Sequence, residues 1–182
     1  MFGDKIRPEF ETKAFDISFR LPPVPPRVYE IRISLSDVEE GWGGKYMNIS
    51  KAIIQTYIDG KTYSLPIDAR LPYKYPEIGW EPDEYTPDNG VELDKQMRNR
   101  GWMKGPDSFN TWDFNNGGDI PSRSNNSNLR KIITRMQLNS GEHWIRFKNV
   151  NITERFNNFF FDYIELVPLN VINDPLKPED RH

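Results

Sequence analysis

The feature that most constrains this chain is a strict alternation of apolar and polar side chains. Residues 14–21 and residues 28–35 each carry an apolar side chain at every second position, which fits a half-buried β-strand and not a helix. The run LPPVPPR between them contains four prolines, which cannot sit inside a sheet. The pattern predicts two antiparallel strands joined by a stiff proline turn.

A hairpin is predicted in the next part of the chain. Residues 51–59 and 61–67 favour strands, and the dipeptide Asp59-Gly60 between them is typical of a two-residue hairpin turn.

The last well-patterned block, residues 141–168, predicts two long strands at 144–150 and 159–167. The second of these is apolar on both faces, so it is the best surface for the other segments to pack on. Residues 129–138 predict a strand before this block, either continuous or broken near Thr134.

The remaining segments lack periodicity. Residues 36–50, which include GWGGKY, read as a loop, and residues 68–95 and 101–128 read as long irregular excursions. Loops of this length are uncommon in compact domains unless they are functional or mobile. No helix of ordinary length is visible.

The domain organisation follows from this pattern. We expect a single all-β, antiparallel two-sheet sandwich over residues 14–168, after a flexible lead-in at 1–13 and before a polar tail at 169–182.

Composition excludes several classes of function. The formal charge of −3 argues against nucleic-acid binding, and the absence of cysteine rules out disulfides, thiolate metal sites and a cysteine nucleophile. No apolar run approaches the roughly 20 residues of a membrane span.

The chain has no dinucleotide fingerprint, GxSxG, HExxH or EF-hand motif. His143 and His182 have no sequence-local partner for catalysis. We therefore expect no enzyme, although a hydrolase with two distant carboxylates is a third alternative.

Tryptophan is the most informative residue type in the irregular segments. A tryptophan in a loop either staples the loop to the sheet or forms an exposed platform on which a sugar ring can stack. The candidates are Trp42, Trp80, Trp102 and Trp112. Trp144, which alternates with Arg146 on a predicted strand, is interpreted as part of the scaffold.

A second candidate is the charged stretch 81–104, in which acidic residues precede basic ones. Two such loops either pair with each other or form a polar binding rim. In the second case Arg98, Arg100 and Asp107 of the polar 95–107 loop are candidate ligand contacts.

Asp162 places a carboxylate within the apolar run FFFDYIEL, where an unpaired charge is costly. It either pairs with an arginine or a backbone N–H, or it helps to hold calcium, which is the only cofactor that the residues suggest.

These residues resemble a known architecture. The ending FxxDYIELVP after GEHWIRFK resembles the last two strands of galactose-binding-like jelly rolls, such as carbohydrate-binding modules of families 6 and 35. A longer set is similar to the C-terminal β-sandwich, of unassigned function, that follows fasciclin-type domains in surface lipoproteins of gut Bacteroidetes. The set comprises YEIRI, YIDGK, MRNRGWMKGPDS and FDYIELVP.

The resemblance implies a two-sheet jelly roll in an exported, lipid-anchored parent protein at the cell surface, next to a fasciclin-type domain. Families 6 and 35 begin with a strand that carries calcium-binding glutamates. The comparable segment of this chain, AFDISFRL, lacks them. Two hypotheses follow. The first is a non-catalytic module that binds carbohydrate, and the second is a structural or adhesion domain that docks on a neighbouring domain or a surface protein.

Overall fold

A computed structural model of the chain describes residues 15–36, 38–41, 45–48, 52–70, 76–79, 90–104, 128–151, 159 and 161–172. Most of this part is β-structure, with two helices and one 3₁₀ turn at Pro76–Ile78. In chain order the elements are β1 (Asp16–Arg20), β2 (Arg27–Ser36), β3 (Val38–Gly41), β4 (Lys45–Asn48), β5 (Ile53–Ile58), β6 (Lys61–Asp68), α1 (Gly90–Asn99), β7 (Trp102–Lys104), β8 (Asn128–Leu138), β9 (Trp144–Asn149), β10 (Phe161–Pro168) and α2 (Leu169–Ile172).

The strands form two four-stranded antiparallel sheets, which confirms the all-β, two-sheet prediction. The first sheet has the order β1-β9-β5-β6 and the second has the order β10-β2-β8-β7, while β3 and β4 form a separate hairpin. The predicted turn at Asp59-Gly60 is also confirmed. Both residues have positive φ, 49° and 78°, as a type I′ turn requires.

Aromatic rings fill the space between the sheets. Phe147 of β9 lies 5.7 Å from Phe161 of β10 between ring centroids, and Phe19 of β1 lies 5.3 Å from Phe161. Phe159 stacks on Phe15 at 5.5 Å. Because β1 and β9 belong to one sheet and β10 to the other, these rings hold the two sheets face to face.

The predicted pairing across the proline run is wrong. β1 pairs with β9, whereas β2 pairs with β8 and β10 in the other sheet. Proline offers no N–H to a sheet ladder, so the run carries the chain from one sheet to the other. The two strands of block 141–168 are likewise in different sheets.

The prediction that the chain has no ordinary helix is also wrong. α1 occupies part of both the irregular stretch 68–95 and the polar loop 95–107. Its sequence has few apolar positions, but Met97 is fully buried and anchors it. The loop predicted at 36–50 contains the β3–β4 hairpin.

β8 settles the alternative left open near Thr134. The strand is continuous, with a register shift where Ile31 pairs with Thr134 and Arg32 pairs with Ile132. Ile133 is the extra residue of a β-bulge at this point.

A buried ion network covers the other face of the second sheet. Glu30 and Arg32 of β2 are both fully buried, and Arg32 Nε donates to Glu30 Oε1 at 2.6 Å. The Glu30 carboxylate also accepts hydrogen bonds from Arg135 Nε of β8 at 2.7 Å and from Arg98 Nη2 of α1 at 3.3 Å. One carboxylate therefore links a strand, its neighbour and the helix.

Glu165 of β10 extends this network on the other side of β2. Its carboxylate accepts a hydrogen bond from Arg32 Nη1 at 3.3 Å and from Arg130 Nη1 at 3.4 Å. The central strand β2 is thus buried on both faces, apolar toward the first sheet and ionic on the reverse.

We expect Glu30→Ala to destabilise the domain by about 3–5 kcal/mol, because it removes the main carboxylate partner of a fully buried guanidinium. Glu142→Ala breaks an exposed pair with Arg20 and should cost less than about 1 kcal/mol. Urea unfolding of both variants measures the difference. Equal costs would contradict a central role for Glu30.

Candidate functional site

The structure describes only some of the predicted ligand contacts. Trp42, Trp80, Asp107 and Trp112 lie outside the described residues. The backbone of Asp162 belongs to β10, but its side chain also lies outside them, so its pairing and its calcium role stay predictions.

The three described candidates on and after α1 are largely engaged within the protein. Arg98 donates to the buried Glu30, and Arg100 Nη1 donates to the Gln96 carbonyl at 3.2 Å. Trp102 is only 5% exposed, and Lys131 Nζ lies 4.6 Å from the centre of its ring. The ligand roles of these three side chains stay predictions.

The open aromatic surface lies on the first sheet instead. β9 turns Ile145 and Phe147 into the core, so the alternate side chains Trp144, Arg146 and Lys148 point away from it. Trp144 is 47% exposed. Its backbone belongs to the scaffold strand β9, as predicted, and its indole lies on the outer face of the sheet.

Tyr57 supplies a second ring on this outer face. It is the register partner of Arg146, whose Cζ lies 4.9 Å from the centre of the tyrosine ring. The same guanidinium makes a bidentate ion pair with Asp16 on β1. Arg146 is therefore held in place over Tyr57 while it stays partly open to water.

The Asp16–Arg146 pair also affects titration. The hydrogen bond from Arg146 lowers the pKa of Asp16 against the opposing effect of burial, and the charges of Arg146 and Lys148 add to the decrease. The same hydrogen bond raises the pKa of Arg146. Both groups stay charged at neutral pH.

Lys148 completes the row along β9. Its register partners are Asp16 on β1 and Gln55 on β5. Within the part of the chain that the structure describes, the Lys148 ammonium has no hydrogen bond or ion pair. We call the set of Asp16, Tyr57, Trp144, Arg146 and Lys148 the outer-face site.

A hydrogen-bonded cluster of His143, Asp59 and Asn139, which we call the His143 lock, lies at the Trp144 end of the outer-face site. His143 Nδ1 lies 2.7 Å from Asp59 Oδ2, and His143 Nε2 lies 2.9 Å from the Asn139 carbonyl oxygen. Asp59 Oδ1 accepts from the Trp144 backbone N–H at 2.9 Å. Both partners of the imidazole are acceptors, so the ring satisfies both contacts only when each nitrogen carries a proton.

The pKa values agree with this geometry. The Asn139 carbonyl and then the Asp59 carboxylate raise the pKa of His143 above its ordinary 6.5. Burial acts to raise the pKa of Asp59, but hydrogen bonds from His143 and from the Trp144 backbone outweigh it, so this pKa falls below 3.8.

The outer-face site combines groups that can contact a ligand. It offers two aromatic rings, a fixed guanidinium, an ammonium and a carboxylate on strands of one sheet. Across the described ranges no three His, Asp or Glu side chains are grouped as a metal site would require.

A second concave feature lies between the two sheets. An open cleft of about 490 Å³ is lined mainly by apolar and aromatic side chains of β1, β10 and the proline run. The lining residues are Phe19, Arg20, Leu21, Pro22, Val24, Phe161, Tyr163, Ile164 and Leu166.

Comparison with known proteins assigns no family, since no protein-family model matches the chain and no curated protein is detectably similar to it. Neither helix in the described part of the chain is long and apolar enough to cross a membrane.

Sequence reasoning missed the outer-face site because it searched the loops for aromatic residues. The available signal was the alternation in WIRFK, which places Trp144, Arg146 and Lys148 on one face if Ile145 and Phe147 face the core. Exposure of that face depends on what packs against it, which a strand pattern does not report.

We expect the His143 lock to stabilise the fold most between about pH 3.8 and 6.5. The raised pKa of His143 contributes stability that is complete below 6.5 and is lost as pH rises through the folded value. The lowered pKa of Asp59 contributes stability above 3.8 that is lost as pH falls through its folded value.

NMR titration of His143 and urea unfolding from pH 4 to pH 9 measure this effect. His143→Gln should remove the stability change above pH 6.5 and leave the change caused by the other groups. An unshifted His143 titration would contradict the lock.

Proposed function

We propose that this chain is a non-catalytic carbohydrate-binding module that lays a glycan on its outer-face site. The observation that carries the proposal is the exposed indole of Trp144 on the same sheet face as Tyr57 and Arg146. Sugar rings present apolar C–H faces that stack on aromatic rings, and their hydroxyls need planar donors and acceptors nearby. The outer-face site offers both.

Preorganisation supports the proposal further. The Asp16 ion pair holds the Arg146 guanidinium in place, and Asp59 fixes the backbone of Trp144, so neither the guanidinium nor the strand needs further ordering on binding. Weak sugar ligands benefit most from such a site, because the entropy of ordering side chains offsets much of their small contact energy.

The finer description of the fold and location belongs to the same proposal. We take the sandwich to be a galactose-binding-like jelly roll at the cell surface, in a lipid-anchored parent protein that also carries a fasciclin-type domain. The resemblance of YIDGK and FDYIELVP supports this, together with the two antiparallel sheets. The loop tryptophans Trp42, Trp80 and Trp112 are further candidate contacts for the glycan.

The second candidate function is docking on a protein, for which the open cleft is the relevant observation. Its lining is mostly apolar, with Arg20 at the rim. Apolar concavities accept side chains or extended segments of a partner more readily than sugars. In this case the cleft, and not the outer-face site, would carry the interaction.

Trp144→Ala should lower affinity for a bound glycan at least about fivefold, because an aromatic stacking platform contributes roughly 1–3 kcal/mol. Isothermal titration or a glycan array with the purified domain measures this. The fold should be unaffected, since the indole lies outside the core.

Val171→Ala is the matched control, because Val171 is apolar and 48% exposed but lies on α2. Loss of binding in Trp144→Ala alone supports the proposal. Glycan binding that survives Trp144→Ala would move the site elsewhere, and no binding across dietary and host glycans would refute the module.

A further inference from the structure

The outer-face site carries more cationic than anionic side chains, although the chain as a whole is acidic. The chain as a whole carries a formal charge of −3. On β1 and β9, however, three cationic side chains, Arg20, Arg146 and Lys148, point to the outer face, and two carboxylates, Asp16 and Glu142, accompany them. Local charge, not the total, decides which ligand a surface attracts.

Two of these cations already have carboxylate partners. Arg146 is paired with Asp16, and Arg20 Nη1 lies 3.1 Å from Glu142 Oε1. The latter pair is weak because both side chains are more than 60% exposed. Lys148 has no ion-pair partner within the described ranges, so the surplus positive charge of this surface is concentrated there.

Lys148 is also correctly placed with respect to the rings. It lies four residues from Trp144 along β9, which corresponds to roughly 13 Å in an extended strand. Arg146 and Tyr57 lie between them. A chain of a few sugar units that stacks on Trp144 therefore reaches Lys148 with a later unit.

We infer that the ligand of the outer-face site is an acidic glycan, in which one sugar ring stacks on Trp144 and a carboxylate of a further unit pairs with Lys148. This inference rests on the proposed carbohydrate function and specifies its ligand class. The exposed guanidinium of Arg20 adds a second, weaker attraction for the same anionic chain.

Polygalacturonate and its fully methyl-esterified form are the matched probes, because esterification removes the carboxylate charge and keeps the sugar backbone. We expect the acid to bind at least about fivefold more tightly at low salt, with the difference reduced at high salt. Lys148→Gln should abolish most of this preference, because affinity for the acid should fall toward affinity for the ester.

Lys95→Gln removes the same charge from an exposed position on α1, which packs by the second sheet, and should leave both affinities unchanged. Equal, Trp144-dependent binding of acid and ester would overturn the acidic preference while the carbohydrate function stands. If the domain binds neutral glycans through Trp144 but binds neither probe, the acidic preference is also overturned and the carbohydrate function stands. Oligo-dT binding as tight as polygalacturonate would show a general polyanion surface and overturn the inference.

Discussion

The second sheet depends on the hydrogen bonds that the buried carboxylate of Glu30 accepts from arginine side chains. Moving a carboxylate and a guanidinium out of water costs several kcal/mol for each ion, and only close, multiple hydrogen bonds offset it. Glu30 meets this condition through Arg32, Arg98 and Arg135, which come from three different elements. A shift of β8 by one residue would turn Arg135 away from Glu30, so the network favours a single register.

The two sheets differ in how their outward-facing side chains are covered. On β2 of the second sheet Glu30 and Arg32 are fully buried, whereas on β9 of the first sheet Trp144 is 47% exposed. The aromatic core between the sheets fixes the position of β9 through Phe147. The side chains on its reverse, Trp144 and Arg146, are thereby displayed from a rigid element and not from a loop.

The sequence pattern predicted the elements better than their partners. Period-two alternation and Asp59-Gly60 are local signals, and both correspond to strands and a turn in the structure. Pairing across the proline run is a long-range property, and it was wrong. α1 was missed because its segment has few apolar residues, and the contacts seen for it, buried Met97 and the Arg98–Glu30 pair, are long-range. Alternation also cannot say whether the side chains that point away from the core are covered. Buried Glu30 and exposed Trp144 therefore occupy equivalent positions in the alternating pattern of their strands.

The residues that stabilise the second sheet are different from the residues displayed on the outer face of the first sheet. The Trp144 backbone is tied to Asp59 twice: its N–H donates to the Asp59 carboxylate, and its carbonyl accepts from the Asp59 N–H, each at 2.9 Å. The indole itself contributes little to the core. Substitutions of the exposed Trp144 side chain should therefore cost little folding free energy, whereas substitutions of the buried Glu30 should cost much more.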